Sequence, residues 1–330
     1  MMRKLSLFLV SVLVMVLMSS AVYAKTLRVG MGDPLDSDQG AFALRFKEIV
    51  EGLSNGNVTV ELFPNGALGT ETEMLQNARM GTLDIAIVGV GNAVPFVKEL
   101  GALSMPYLLQ TPYDVAKVTT GELNRMWNEY AIKNGGFKII GWTYSNFRFI
   151  TNSKRPIKTL ADVKGLKIRV PHNQIILETF KAWGANPVPM DWSETFTALQ
   201  QGVLDGQENP YIVNYTSKFH EVQKYLTEVH YQYSLQPMII GIKTFDKMDK
   251  ELQAIVLQAA LEAQMYGLLF QTLEAGNAKA GMQAGGIEVS MLEDEEEWKK
   301  IAIETVWPKM YDAVGGKEVV EKVQKVLNKK

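Results

Sequence analysis

The sequence predicts an α/β protein of two lobes joined by crossing strands and a long helix, and three observations lead there. Strand and helix patterns alternate from Leu27 to Val88, and a similar alternation restarts after Gly135-Gly136. From Lys250 a helical pattern then runs towards Ala284, longer than an ordinary globular helix and long enough to brace both lobes.

In the first unit, Leu27–Met31 is a short strand, after which Phe42, Phe46, Ile49, Val50 and Leu53 recur at helical spacing. Residues 58–63 alternate as a strand and end at the turn signal Pro64-Asn65-Gly66, before a helix over 71–80. Asp84-Ile85-Ala86-Ile87-Val88 is apolar enough for a strand buried on both faces. Strand–helix–strand–helix–strand implies a parallel sheet. In the second unit, 138–144, 147–151 and 166–170 read as strands, the last stopped by Pro171, and 174–183 and 193–201 as helices. Asn186-Pro187-Val188-Pro189 between them forbids helix and favours an extended link. In the long helix, Leu252, Ile255, Val256, Ala259, Ala260 and Ala263 share one face. The acidic run 293–297 reads as a helix N-terminus, where carboxylates suit the dipole, with a calcium site as the other reading. The expected division is 25–146 plus 235–274 for lobe I and 147–234 plus 275–330 for lobe II.

The first 24 residues read as a secretory signal. Arg3 and Lys4 precede an apolar stretch to Met18, and small residues lead to Ala24, after which cleavage is expected. Export places the protein in the periplasm. Losing Arg3 and Lys4 and no acid takes the formal charge from −2 to −4, and no basic cluster of the kind nucleic acid needs remains. The chain has no cysteine, which removes disulfides and thiolate zinc sites and leaves stability to the core.

Enzyme signatures fail one by one. Gly89-x-Gly91 and Gly30-x-Gly32 follow strands as dinucleotide loops do, but Val94 and Leu35 stand where the third glycine belongs. No Gly-x-Ser-x-Gly elbow occurs, and His172, His220 and His230 lack metal-ligand spacing. No catalytic residue, cofactor or metal is expected. Arg148 and Arg169, each flanked by apolar strand residues, are different: such guanidinium groups need partners. One reading is a structural salt bridge, to Asp162 or Glu208 for instance. The other is a planar fork that receives a ligand carboxylate through two parallel N–H bonds.

Several segments in order carry a family resemblance. They are Phe63-Pro64-x-Gly66-x-Leu68-Gly69, Gly81-Thr82-Leu83-Asp84, and the run from Ala161 through Gly165-Leu166-Lys167-Ile168-Arg169-Val170-Pro171. Pro189-Met190-x-Trp192-Ser193-Glu194, Asp205-Gly206-Gln207-Glu208-Asn209-Pro210 and the stretch from Tyr215 to Tyr225 follow. Together they resemble the solute-binding subunits of tripartite ATP-independent periplasmic (TRAP) transporters, the DctP family, over essentially the whole mature chain.

The resemblance implies a two-lobed periplasmic-binding-protein fold, type II-like, that captures a small organic carboxylate and hands it to small and large integral-membrane subunits. It makes Arg169 the carboxylate receptor, Arg148 a second arginine, Asn209 a further ligand group with Glu208 bracing it, and Trp192 the aromatic cover. His172 is either a ligand contact or a rim residue. Sialic-acid-binding members carry an asparagine and an acid where this chain has Gly32 and Gly89, which disfavours that ligand. Asp33, Asp38 and Gln39 after the first strand, and Asn92 after the third, suit ligand hydroxyls; the first three equally suit helix capping. The expectation is a monomer binding a hydroxy or sugar acid such as a uronate or aldonate. The alternatives are a C4-dicarboxylate binder, an extracytoplasmic enzyme acting on small acids, and a subunit presenting ligand to a sensor.

Overall fold

The computed structural model describes residues 25–329. The expected signal, residues 1–24 with its cleavage after Ala24, lies outside the described residues.

Four strands come first: β1 (Lys25–Met31), β2 (Val58–Phe63), β3 (Ile85–Ile87) and β4 (Phe137–Phe147). Five more follow: β5 (Phe149–Asn152), β6 (Lys167–Val170), β7 (Asn186–Pro189), β8 (Gly206–Asn209) and β9 (Tyr225–Glu228). Then come β10 (Tyr233–Gly241) and, after the long helix, β11 (Glu288–Met291). They form a five-stranded sheet, β2-β1-β3-β10-β4, and a six-stranded sheet, β11-β9-β5-β8-β6-β7. One sheet centres each lobe.

The parallel set implied by the strand–helix alternation of the first unit is present, although neither sheet is wholly parallel. β1, β2 and β3 are parallel, but β10 runs antiparallel to β3 and β4, and β5 antiparallel to β8 and β9. A strand that follows a helix on the same lobe is held to the parallel arrangement by its crossover. The chain passes from β4 to β5, and from β9 to β10, as short extended runs with no crossover helix, so nothing holds these strands parallel.

Local chemistry sets the ends of the elements. Ser37 accepts from the Gly40 amide (3.1 Å) and caps the helix Asp38–Leu53. Thr70 and Glu73 form a reciprocal capping box for the helix Glu71–Met80, which ends at Gly81 with φ 83°. The link 186–189, read as extended, is the edge strand β7, the one place where Pro187 and Pro189 remove no needed ladder bond. Gly206 is obligatory on β8, since a Cβ there would lie 2.0 Å from the Thr151 carbonyl oxygen.

The long helix is Lys250–Ala284, 35 residues. Leu252, Val256, Ala259, Ala260 and Ala263 pack into the core of the first sheet, and Ala278 and Met282 join a cluster with Tyr211 and Ile212 beside the second. One element therefore braces both lobes. Residues 275–330, expected in lobe II, divide their contacts. Trp298 packs on Trp183 in the second core, whereas the helix Lys317–Leu327 packs on Lys98–Ser104 and Pro112–Thr119 of the first lobe. Glu295, Glu296 and Glu297 occupy a first helical turn, as the helix-terminus reading of the acidic run requires.

Candidate functional site

Strand ends of both lobes converge on a cleft lined from both sides. The second lobe contributes Arg169, Arg148, Trp192 and Asn209; the first contributes Asp33, Gln39, Glu71 and Asn92. The β9–β10 run adds Gln232, Ser234 and Gln236.

β4 ends at Phe147 and β5 begins at Phe149, so Arg148 is the single residue between a strand of each sheet. Its side chain is spent within the protein. Nε and Nη2 both donate to the Glu208 carboxylate, Nη2 at 2.7 Å, and Nη2 also donates to the Glu208 carbonyl at 2.8 Å. Nη1 donates to Ser234 Oγ (3.2 Å), and the backbone N–H to the Gln232 carbonyl (2.9 Å), which ties one crossing run to the other. Glu208 is fully buried and also accepts from the Tyr231 hydroxyl. Burial works against the Arg148 charge, but the Glu208 carboxylate outweighs it and holds the guanidinium protonated well above its usual range. Of the two readings of Arg148, the salt bridge to Glu208 is present.

Arg169 stands in contrast. It lies on β6 and is 3% exposed; its Nε donates to the Met190 carbonyl (2.9 Å), and its guanidinium faces the Trp192 ring 5.5 Å away. Among the described residues it forms no ion pair, and neither terminal nitrogen donates to protein. Burial pulls its pKa down to about 10, with Glu208 only partly offsetting the loss. It is still a cation at neutral pH, desolvated and short of an anion.

Asn209 is oriented by buried amides, its Nδ2 donating to Gln207 Oε1 (2.7 Å) while Gln207 Nε2 is held by Asn214 and Thr151. Trp192 opens the helix Trp192–Gln200 and meets the other lobe. A Cβ on Gly32 would lie 3.2 Å from Trp192 Cδ1 and 2.9 Å from Glu71 Oε1, so the two lobes meet closely at this glycine.

The first-lobe wall is acidic. Asp33 is buried, and burial together with Asp38 and Glu71 pushes its pKa well above the usual carboxylate range. Glu71 accepts from the Gly89 amide (3.0 Å), from Asn92 and from Gln39 Nε2 (3.4 Å). Gln39 Oε1 in turn accepts from the Gly32 and Asp33 amides at 3.1 and 3.2 Å, fixing the loop that carries Asp33. Capping falls to Ser37, so Asp33 and Gln39 face the cleft without serving the helix end. Asp38 does not line the cleft: fully buried, it accepts from Ser145, and burial raises its pKa. His172 does not line it either. It is half exposed on the rim, 3.8 Å from Asp191.

Sequence reasoning missed Glu71, Gln232, Ser234 and Gln236. Glu71 lies two residues after the Leu68-Gly69 segment already singled out, which was an available signal. The other three sit on the second crossing run, where no local pattern marks them. Gln232 Oε1 and Gln236 Oε1 are buried without a hydrogen-bond partner among the described residues, acceptors that a ligand's donors would satisfy.

The model of the bacterial extracellular solute-binding protein family 7, DctP, matches residues 29–313. The 2,3-diketo-L-gulonate-binding periplasmic protein YiaO of Escherichia coli is 31% identical over 271 residues, 82% of this chain and 82% of its own length. A sugar acid binding protein of Advenella mimigardefordensis, solved in complex with galactonate, superposes with a TM-score of 0.88 at 30% identity, covering 92% of this chain and 98% of its own. A TRAP periplasmic solute binding protein of Sulfurospirillum deleyianum, solved with bound succinate, gives 0.86 at 30% identity, covering 92% and 99%.

Proposed function

Because the chain belongs to the DctP family of bacterial extracellular solute-binding proteins, we propose that its cleft captures a small polyhydroxylated monocarboxylate, an aldonate or related sugar acid. The chain is a TRAP solute-binding protein, and its role is capture and delivery to the membrane components. The N-terminal segment ending at Ala24 is the export signal in this reading and is removed in the periplasm.

The observation that carries the ligand class is the asymmetry of the cleft. The buried, unpaired Arg169 fork stands on one wall and the acids Asp33 and Glu71 on the other, with unsatisfied amide oxygens between. A carboxylate answers Arg169 through two parallel bonds. Towards its far end the ligand meets the unpaired amide oxygens of Gln232 and Gln236 and the acids Asp33 and Glu71, acceptors that sugar hydroxyls would satisfy. A dicarboxylate would bring its second anion to a wall that holds the acids Asp33 and Glu71 and no cation, where a desolvated charge would go uncompensated. The names of relatives leave this open, since galactonate and succinate both occur at 30% identity. Arg148 and Asn209 shape the carboxylate end, and Trp192 covers it when the lobes close.

Thermal-shift screening followed by calorimetry tests the reading, with galactonate, gluconate and erythronate set against succinate, malate and neutral galactose. Aldonates are expected to stabilise the mature protein, by about 2.7 kcal/mol at 100 times the dissociation constant. Tighter binding of succinate than of every aldonate would overturn the acid-wall argument. Binding of galactose alone would overturn the role of Arg169.

A further inference from the structure

His230 lies between β9 and β10, on the second run that crosses from lobe to lobe. Its backbone N–H and its ring Nδ1 both bond the Glu295 carboxylate, at 2.5 and 2.9 Å. Glu295 opens the helix Glu295–Ile301, which packs into the second core through Trp298. From the other side, the His230 carbonyl accepts from Gln110 Nε2 (3.0 Å), and the Tyr231 carbonyl accepts from the Tyr107 amide (2.6 Å). Tyr107 and Gln110 belong to the loop between Lys98–Ser104 and Pro112–Thr119 of the first lobe. The His230 ring stands edge-on to Phe147 and Phe149, 4.9 and 6.1 Å away, the two residues that flank Arg148 on the first crossing run. One histidine is therefore fastened to both lobes and packed on the other crossing run.

We infer that His230 and Glu295 form a proton-dependent clasp on the hinge: the imidazolium holds the second crossing run against lobe II and favours closed lobes, and loss of its proton favours opening. The lobes are closed in this structure, with Trp192 against Gly32. When they part, the crossing run must follow either the first-lobe loop or Glu295, so one attachment yields. The bonds from Gln110 and Tyr107 are neutral and indifferent to pH. The ring's bond to Glu295 is charge-assisted only while the imidazole is protonated. The His230 side chain is 35% exposed, so protons from solvent reach it.

The surroundings leave Glu295 in control. Glu228, at the end of β9, is engaged by the Tyr211 hydroxyl (2.7 Å) and by Lys279 of the long helix (2.9 Å). Phe147 and Phe149 bring no charge. Beside Glu295, Asp294 accepts from the Leu160 amide and from Trp298 Nε1, and Glu296 pairs with Lys299. On the first-lobe loop, burial keeps Tyr107 a neutral phenol, and Asp114 pairs with Lys329. The hydrogen bond from Glu295 raises the His230 pKa, against the opposing effect of burial. The clasp is therefore complete below the unfolded histidine value of about 6.5 and is lost as pH rises through the higher folded value. Opening belongs to the alkaline side.

Energy transfer between dyes on the ligand-free mature protein tests the clasp whatever the ligand is. The chain has no cysteine of its own, so labels can be placed at Met80→Cys on lobe I and Val203→Cys on lobe II, both exposed positions. From about pH 6 to about pH 9 the open-to-closed ratio is expected to rise about threefold, the size of a part-exposed ion pair. His230→Asn keeps a donor near the Nδ1 position without a titrating charge and should abolish the rise, as should Glu295→Gln. In proton magnetic resonance, the His230 ring should titrate at lower pH in Glu295→Gln than in the wild type. A wild-type ratio that does not rise with pH overturns the inference. A rise that survives in His230→Asn belongs to another group, Asp33 first among them, and overturns it too. So does a His230 titration that Glu295→Gln leaves in place.

Discussion

The hinge crossing around Arg148 and the end of β6 around Arg169 hold the same side chain in similarly buried surroundings, yet the protein treats the two charges oppositely. At the hinge, Glu208, Ser234 and the Glu208 carbonyl absorb the whole guanidinium fork. On β6 only Nε is satisfied, by a carbonyl. A compensated buried charge is part of the architecture. An uncompensated one stores unfavourable desolvation that a matching ligand can relieve, so burial alone does not mark a site; burial without a counter-charge does.

The sharpest way to break this comparison is stability without ligand. Arg148→Met strands Glu208 as a lone buried anion and should cost about 3–5 kcal/mol in urea unfolding. Arg169→Met removes a lone buried cation and should leave ligand-free stability equal or higher. Equal losses in both variants would mean that the two arginines do the same work.

Affinity should reverse that order. Arg169→Lys keeps the charge but loses the planar fork, and calorimetry with the best aldonate should show a loss of about 2–5 kcal/mol. Near wild-type affinity would remove Arg169 from its assigned role. Arg148→Lys and Asn209→Ala should cost less.

The acid wall offers a smaller effect with a definite sign. The folded pKa of Asp33 is raised, chiefly by burial and then by Asp38 and Glu71. Folding therefore favours its protonated form. This group costs nothing below its unfolded pKa of about 3.9, and its penalty grows as pH rises from there through the folded value. Asp33→Asn should flatten that decline and raise the ligand-free melting temperature at neutral pH by roughly 2–4 °C. A larger gain at acidic than at neutral pH would contradict the assignment. The smallest effect is expected at the rim, where His172→Ala should change ligand affinity by no more than about 0.5 kcal/mol.

Much of this was legible in the sequence because it rests on local signals. Thr70-x-x-Glu73 and Gly81 mark both ends of a helix, and Pro187 and Pro189 demand an extended segment. The apolar period from Lys250 specifies a long helix, since each of these depends on a residue's immediate neighbours. The segments around Arg169 and Asn209 were likewise recognisable as they stand. What the tertiary structure alone decided is pairing at a distance. Arg148 and Glu208, 60 positions apart, neutralise each other. Glu71 gathers Gln39, Gly89 and Asn92 from three loops, and β10 turns antiparallel because it returns from the other lobe. The sequence names the charged groups, but whether a buried charge is satisfied depends on what the fold sets beside it, and Coulomb and desolvation energies act through space rather than along the chain.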